Sequence, residues 1–304
     1  MLRAVLIKAS ESPTLQRQVT SRSLSRRLAM RFVAGETLDD GLAVTRKLAA
    51  RSRTVTLDYL GESITDPSEA RAAVKVCAEA LDRIGTEGLP AGLSVKPTQF
   101  GLKVDPTLCT DLLEEVASAA AAVGQHLTLD MEGSDVTEAT IALVERLHAA
   151  GYADVGCAVQ SYLRRTRADV ERLSALGASL RLCKGAYAEP EPIAYQARRE
   201  VDLAYADEAA LLLTSGTYPR FATHDDVLIE HIKRTAARLG KTPDSFEFQM
   251  LYGVRPSLQD ALVAQGWRLR VYVPFGRQWY QYFMRRIAAR PANLLFFLRA
   301  LRDT

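Results

Sequence analysis

Short apolar runs rich in β-branched residues alternate with longer segments of helical period from about residue 53 onward, and this alternation limits the fold more than any other feature. Such alternation is typical of repeated βα units around a parallel sheet. The eight strand-like runs are residues 54–60, 92–96, 126–131, 154–160, 179–184, 220–224, 245–251 and 268–273. Their spacing leaves room for one helix after each strand and for little else. The sequence therefore predicts an α/β protein with a closed (β/α)8 barrel of the TIM type.

Capping residues predict where two of the intervening helices begin. Asp66 and Pro67 precede an Ala/Val/Leu pattern, as an N-cap residue followed by proline in the first turn does. Thr137 and Glu138 precede apolar residues at helical spacing, which predicts a second helix from that point.

The first fifty residues carry a different pattern. Apolar side chains recur at helical spacing between residues 24 and 48, which predicts N-terminal helices over 1–50 that pack on a barrel formed by 51–304, within one structural domain. The first thirty residues are also rich in arginine and serine, with Glu11 as their one acid, a composition that mitochondrial transit peptides share. No apolar stretch approaches the roughly 20 residues of a membrane span.

Bulk charge and cysteine spacing exclude several classes of protein. The 39 basic and 36 acidic residues give a net charge of +3, too weak a field to attract nucleic acid. The four cysteines lack both the CxxC spacing of zinc or redox sites and the density of secreted domains: Cys77, Cys109, Cys157 and Cys183. We interpret them as buried thiols in a reducing compartment, which predicts a cytoplasmic protein and leaves a peripheral contact with the inner membrane open.

Polar side chains stand at or just past the end of every predicted strand. In chain order they are Glu62, Lys96, Asp130 with Glu132, Gln160, Lys184, Thr223 with His224, Gln249 and Tyr272. Active sites of such barrels lie at the C-terminal ends of the strands, whereas buried strand interiors should be apolar. We therefore expect these side chains to converge on a ligand.

The ring contains both signs of charge, so a simple anion site does not account for it. One histidine and scattered carboxylates lack the ligand spacing of a known metal centre, and the sequence predicts no metal site. A lysine on a barrel strand, Lys184, could form a Schiff base as in barrel aldolases. A lyase of that kind and a non-catalytic ligand-binding barrel are the alternatives that the residues alone leave open.

A second polar element follows the eighth strand. Tyr282 shares a helix face with Arg285 and Arg286, at spacings of three and four residues. Two guanidiniums bind a carboxylate well, because each planar fork can bond it bidentately. Arginine pairs at 26–27, 164–165 and 198–199 show that a pair alone also fits a solvated helix face. The position beside the barrel mouth favours a carboxylate clamp.

Sequence motifs on every predicted strand resemble those of the proline dehydrogenase family. They come in the family's order: DYLGES (58–63), SVKP (94–97), LDMEGSD (129–135), VQSYLRR (159–165), RLCKGAY (181–187), FATHD (221–225), FEFQMLYG (246–253), VYVPFG (271–276) and YFMRRIAARPAN (282–293). The length resembles the monofunctional bacterial enzymes. The resemblance implies FAD-dependent oxidation of L-proline to 1-pyrroline-5-carboxylate, the first step of proline catabolism, by hydride transfer from proline C5 to FAD N5.

The resemblance also implies roles for individual residues. The implied flavin contacts are Asp130, Met131, Gln160, Arg181, Lys184, Thr223 and His224. The implied catalytic and substrate-binding residues are Lys96, Asp130, Leu182, Ala186, Tyr187, Leu251, Tyr272, Tyr282, Arg285 and Arg286, with Glu62 as a carboxylate that bridges to one of the arginines. FAD held in a barrel mouth needs no GxGxxG fingerprint, and the chain has none. The electrons would pass to a quinone or another acceptor.

Two positions depart from the family pattern. Ala188 stands where many relatives have tryptophan, and Ala289 where many have glutamate, so we expect fewer or rearranged flavin contacts there. Tyr272 is retained, and its bulk resembles the enzymes that are specific for proline over hydroxyproline.

Overall fold

The computed structural model describes Arg17, Val19, residues 23–61 and residues 64–289. Neighbouring strands pair in parallel and in chain order, and β8 pairs with β1, so the sheet closes. The strands are β1 Thr54–Tyr59, β2 Ala91–Val95, β3 Leu127–Leu129, β4 Val155–Gln160, β5 Leu180–Cys183, β6 Arg220–Ala222, β7 Glu247–Leu251 and β8 Leu269–Phe275. The predicted barrel is confirmed, and each predicted run overlaps one strand.

A helix follows every strand. In chain order the helices are α1 Ser23–Ala29, α2 Leu38–Ala49, α3 Pro67–Thr86, α4 Pro106–Ala122, α5 Ser134–Ala149, α6 Thr166–Ala175, α7 Arg198–Ser215, α8 Asp226–Arg238, α9 Pro256–Ala264 and α10 Trp279–Ala289. A 3₁₀ turn, Pro97–Phe100, lies between β2 and α4. Within the described ranges, no helix combines the length and apolarity that crossing a membrane requires.

Helix α2 packs against both β1 and β8, on the outside of the barrel where the first and last strands meet. Helix α10 instead packs against α1. The residues that join α10 to the N-terminal segment form an apolar cluster that includes Val33, Leu60, Trp279 and Phe283. Because α2 covers the junction of β1 and β8, α10 can lie beside the mouth of the barrel, where its Tyr282 and Arg286 line a cavity. The division of the chain at residue 50 stays a prediction.

The expectation of apolar strand interiors is wrong for the inner face of this barrel. Arg270 Nε and Gln249 Nε2 both donate to Glu247 Oε1, each at 2.6 Å, and Arg181 Nε donates to Gln249 Oε1 at 2.7 Å. Glu247, Gln249 and Arg181 are at most 4% exposed. Buried charges persist where each is paired and hydrogen-bonded, and this chain of contacts pairs them across the barrel.

One predicted helix start is confirmed and the other is wrong. The Asp66 side chain accepts from Ser68 N, and Pro67 opens α3. Helix α5 begins at Ser134, three residues before Thr137. Ser134 N and Ser134 Oγ donate to the carboxylate of Glu189, at 2.7 and 2.6 Å. A carboxylate near a helix N-terminus satisfies free N–H groups. Here the capping residue, Glu189, is 55 residues away in sequence, so local sequence pattern does not reveal it.

Glu208, on the buried face of α7, predicts a pH dependence of stability. It is 4% exposed, its Oε2 has no hydrogen-bond partner within the described residues, and burial raises its pKa to about 8 from 4.5. Between pH 4.5 and about 8, Glu208 is protonated in the folded state and ionised in the unfolded state. The free energy of unfolding of the wild type should therefore fall as pH rises through this range.

Glu208→Gln removes that titration. We expect the variant to match the wild type near pH 4 and to exceed it at pH 9 by about 2–4 kcal/mol in the free energy of unfolding. Urea unfolding at a series of pH values measures the difference. A difference that does not change with pH would contradict the assignment.

Candidate active site

A cavity of about 280 Å³ opens at the C-terminal ends of the strands, next to α10. Ligand sites in barrels of this type lie at this face, and the volume is at the lower end of small-molecule pockets. The residues predicted from sequence that line it are Lys96, Asp130, Met131, Gln160, Arg181, Lys184, Ala186, Tyr187, His224, Gln249, Leu251, Tyr272, Tyr282 and Arg286. Most of the predicted residues thus share one cavity, and their individual roles stay predictions.

Two predicted contacts do not line the cavity. Leu182 is fully buried in the apolar core, between the inward-facing Arg181 and Cys183, because successive side chains of a strand point to opposite faces. The Thr223 hydroxyl accepts from Asp225 N at 3.1 Å and belongs to the turn after β6. Glu62 and the side chain of Arg285 lie outside the described residues.

Asp130, just past β3, is the centre of the polar floor of this cavity. Its Oδ1 accepts from Arg181 Nη1 at 2.5 Å and from Ser94 Oγ at 2.6 Å, and its Oδ2 accepts from the Tyr272 hydroxyl at 2.7 Å. The guanidinium of Arg181 also lies 5.2 Å from the centroid of the Tyr272 ring. These contacts fix one carboxylate, one guanidinium and one phenol in a single arrangement.

Lys96 completes the floor from the other side. Its ammonium donates to Asp58 Oδ1 at 2.7 Å and lies 3.7 Å from Asp130 Oδ2. Asp58 also lines the cavity, although it is not among the residues predicted from sequence. The available signal was a carboxylate inside the otherwise β-rich run of β1, where a charge is costly unless it is paired.

Burial and neighbouring charges set the protonation of this floor. Burial acts to raise the pKa of Asp130, but the Arg181 and Lys96 charges outweigh it, so the pKa is lowered and the carboxylate stays ionised. Burial raises the pKa of Asp58, against the pull of the Lys96 charge. Burial also holds the pKa of Tyr272 well above 10, so this phenol keeps its proton.

Lys184 forms ion pairs at the rim of the cavity. Its ammonium donates to Asp202 Oδ1 at 2.5 Å and to Asp225 Oδ2 at 3.0 Å. A Schiff-base lysine attacks as a neutral amine, and enzymes obtain that state by desolvation or by placing another cation nearby. The Lys184 nitrogen is instead bonded to two carboxylates, so the geometry disfavours the lyase hypothesis.

Arg198 donates to the same Asp225 Oδ2 at 3.2 Å, although its side chain is 81% exposed. Arg198 is therefore connected to Lys184 through Asp225. An arginine on a purely solvated helix face would have no such connection to the cavity.

Two other polar residues of the strand-end ring support loops. His224 Nε2 accepts from Leu251 N at 3.0 Å and so ties β6 to β7. Glu132 is buried and accepts from Thr98 N and Thr98 Oγ1, at 3.0 and 2.6 Å, which fixes the turn after Lys96. His224 lines the cavity, whereas Glu132 does not.

The glycine of the KGAY motif is required by a close approach. Gly185 has φ of +109°, and a Cβ built there would lie 2.1 Å from the Tyr162 ring. Glycine alone adopts this backbone easily and leaves room for the ring. The motif thus brings Ala186 and Tyr187 to the cavity wall, and Ala188 after them is exposed.

Helix α10 supplies the cation above the floor. The guanidinium of Arg286 lies 5.3 Å from the centroid of the Tyr282 ring, which confirms that the two residues share a helix face. Arg286 Nε is shielded from solvent and has no hydrogen-bond partner within the part of the chain that the structure describes. A planar guanidinium with a free donor at a cavity wall suits a carboxylate ligand.

Known proteins share this architecture and much of this sequence. The family model described as proline dehydrogenase matches residues 42–295. The chain is 37% identical to proline dehydrogenase 1 of Bacillus subtilis strain 168, covering 99% of both chains, and 33% identical to the proline dehydrogenase of Deinococcus radiodurans, covering 99% of this chain and 98% of that one.

A solved structure is also similar. It is that of proline utilization A (PutA) from Bdellovibrio bacteriovorus inactivated by N-propargylglycine, with a TM-score of 0.81 at 25% identity. The similarity covers 86% of this chain and 32% of that one. Together with the match of the family model over most of the barrel, these comparisons show that the chain belongs to the proline dehydrogenase family.

Proposed function

We propose that this protein oxidises L-proline to 1-pyrroline-5-carboxylate with non-covalently bound FAD, as the first step of proline catabolism. The observation that carries the proposal is one cavity that joins a polar floor of fixed charges, an apolar wall and the cation Arg286. Near full-length similarity to named proline dehydrogenases supports the same reaction.

The residues present fit a flavin. Arg181 is 4% exposed, and its Nη2 has no hydrogen-bond partner within the described residues, although the side chain lines the cavity. A buried donor without a partner costs free energy unless a ligand satisfies it, and the ring of a flavin offers carbonyl and nitrogen acceptors. Gln160 donates its amide N–H to Glu132 O, at 2.8 Å, and lines the same cavity.

Arg181, Gln160 and Met131 would hold the cofactor, with Lys184 and His224 at the outer part of the same cavity. When bound, the flavin supplies the hydride acceptor. The positive charge of Arg181 would stabilise negative charge that develops next to it.

The chain's own residues would bind and orient proline. Arg286 would pair with the carboxylate, and Tyr187, Leu251 and Tyr272 would enclose the apolar ring. Because Tyr272 keeps its proton and donates a hydrogen bond to Asp130, it acts as a wall of the pocket rather than as a base. The electrons would then pass to a quinone or another acceptor. The enzyme would be cytoplasmic, with or without a peripheral contact with the inner membrane.

The purified protein tests this function directly. We expect the yellow absorption of oxidised flavin, one FAD per chain released by acid precipitation, and bleaching of that absorption when L-proline is added without oxygen.

Borohydride added with carbonyl substrates should trap no adduct on Lys184, because its ammonium is paired with two carboxylates. A colourless protein that neither takes up FAD nor oxidises proline would refute the proposal, and a trapped Lys184 adduct would favour the lyase.

A further inference from the structure

Asp58, next to the last residue of β1, is a buried carboxylate that has no role in the proposed reaction. The residue is 0% exposed, and it faces the inside of the barrel and lines the cavity. Its Oδ1 accepts from Lys96 Nζ at 2.7 Å, whereas its Oδ2 has no hydrogen-bond partner within the described residues. An ionisable group that is fully buried needs a compensating contact, and Lys96 supplies it.

Of the two carboxylates described beside the Lys96 ammonium, Asp58 is the closer one. Asp130 Oδ2 lies 3.7 Å from Nζ, and the Asp130 carboxylate is already bonded by Arg181, Ser94 and Tyr272. The charge of Asp130 is therefore shared with Arg181, whereas the ion pair that Asp58 forms is with Lys96. Asp58 belongs to β1 and Asp130 follows β3, the two strands that flank β2. The ammonium of Lys96, which follows β2, is therefore close to one carboxylate from each neighbouring strand.

We propose that Asp58 is a positioning residue of the active site: it keeps Lys96 charged and directed into the floor of the cavity, where an anionic ligand binds. The inference rests on the proposed oxidation of proline only for the identity of that ligand. A lysine whose ammonium loses its close carboxylate in a buried site releases its proton more easily or turns away. The cavity would then lose one positive charge.

The described groups around Lys96 determine in which direction the loss of the Asp58 charge changes the protonation of Lys96. Asp58 faces it from β1, Asp130 from β3, Tyr272 from β8, and the cation Arg181 lies beyond Asp130 on β5. The buried thiol of Cys77 approaches from α3 and stays neutral, because burial raises its pKa to about 12. With Asp58 neutralised, the other carboxylate described beside Lys96, that of Asp130, is already paired with Arg181.

Asp58→Asn tests the proposal, because it removes the charge and keeps the size. We expect kcat/KM for proline to fall about tenfold or more, and its alkaline limb to move to lower pH by about one unit or more. The affinity for cyclopentanecarboxylate, a proline-like acid without the amine, should show the same shift by difference spectroscopy. Both effects arise because Lys96 in the variant is neutral over part of the pH range in which the wild-type residue is charged.

Asp169→Asn is the matched control. Asp169 is 6% exposed and pairs with Arg165 at 2.7 Å on α6, outside the barrel. This variant removes a buried carboxylate of the same type and should leave both pH profiles unchanged. An Asp58→Asn profile that coincides with that of the wild type would overturn the proposal.

A double-mutant cycle with Lys96→Met separates positioning from simple structure. If Asp58 acts through Lys96, Asp58→Asn should change ligand affinity little once Lys96 is methionine, whereas additive losses would overturn the proposal. If Asp58→Asn alone does not fold, Asp58→Leu with Lys96→Met replaces the pair by apolar residues that a buried site accepts, and its ligand affinity should equal that of Lys96→Met. Affinity for the acid is measured without proline turnover, so a failure of the proposed reaction leaves this test intact.

Discussion

Replacing Asp130 by alanine is expected to lower kcat/KM for proline by a factor of about 100 or more and to lower the free energy of unfolding by about 3–5 kcal/mol. One carboxylate accepts from Arg181, Ser94 and Tyr272, and it also lies close to Lys96. Its loss would leave a buried guanidinium without its anion, because the remaining Arg181 partners, Gln249 and Ser94, are neutral. The flavin content of the purified variant should fall with it, because Arg181 would no longer be fixed.

Two variants define how much of that loss is electrostatic. Tyr272→Phe removes a single hydroxyl donor to Asp130, so we expect a loss of about 1–2 kcal/mol in stability and nearly full flavin content. Asp169→Ala removes another buried, paired carboxylate, on α6, and should reduce stability while keeping the flavin. Chemical unfolding, flavin content and steady-state kinetics measure these effects. Asp130→Ala protein with wild-type flavin content and kcat/KM would show that Asp130 does not organise the site.

The barrel and the position of its site could be predicted from sequence, because both depend on local pattern. Eight β-rich runs separated by helical segments determine a closed parallel sheet, and parallel strands bring their carboxyl ends to one face. Lys96, Asp130, Gln160 and Lys184 could therefore be placed at one cavity before any distance was known. Period two along β5 could also have excluded Leu182, because its neighbour Arg181 faces inward.

The remaining features depend on contacts between distant parts of the chain. The inner face of the barrel carries charges because Arg270, Glu247, Gln249 and Arg181 satisfy one another, and no single strand shows that. Asp58 acquires its importance from Lys96, which is 38 residues away. The packing of α2 on the junction of β1 and β8, rather than on another pair of strands, is a tertiary contact without a local signal.

Arg286→Ala is expected to lower kcat/KM for proline by a factor of about 30 or more, the effect of truncating a charge-assisted pair in a closed site. Arg286 lines the cavity, its Nε has no hydrogen-bond partner within the described residues, and its guanidinium lies against the Tyr282 ring. A carboxylate bound there would satisfy the free donor. Arg286→Lys should rescue poorly, because an ammonium lacks the planar fork that bonds two oxygens.

The control for this prediction must be an arginine that is ion-paired but remote from the cavity. Arg198 does not qualify, because it shares Asp225 with Lys184. Arg172 on α6 does, because it pairs with Glu138 and Glu145 of α5 at 2.8 and 2.6 Å. Arg172→Ala should keep wild-type kinetics. The flavin spectrum should survive in both variants, because the clamp is assigned to the substrate. If Arg286→Ala kept the wild-type affinity for cyclopentanecarboxylate as well as the wild-type kcat/KM, the guanidinium would be part of a helix face that packs on Tyr282 and binds no substrate.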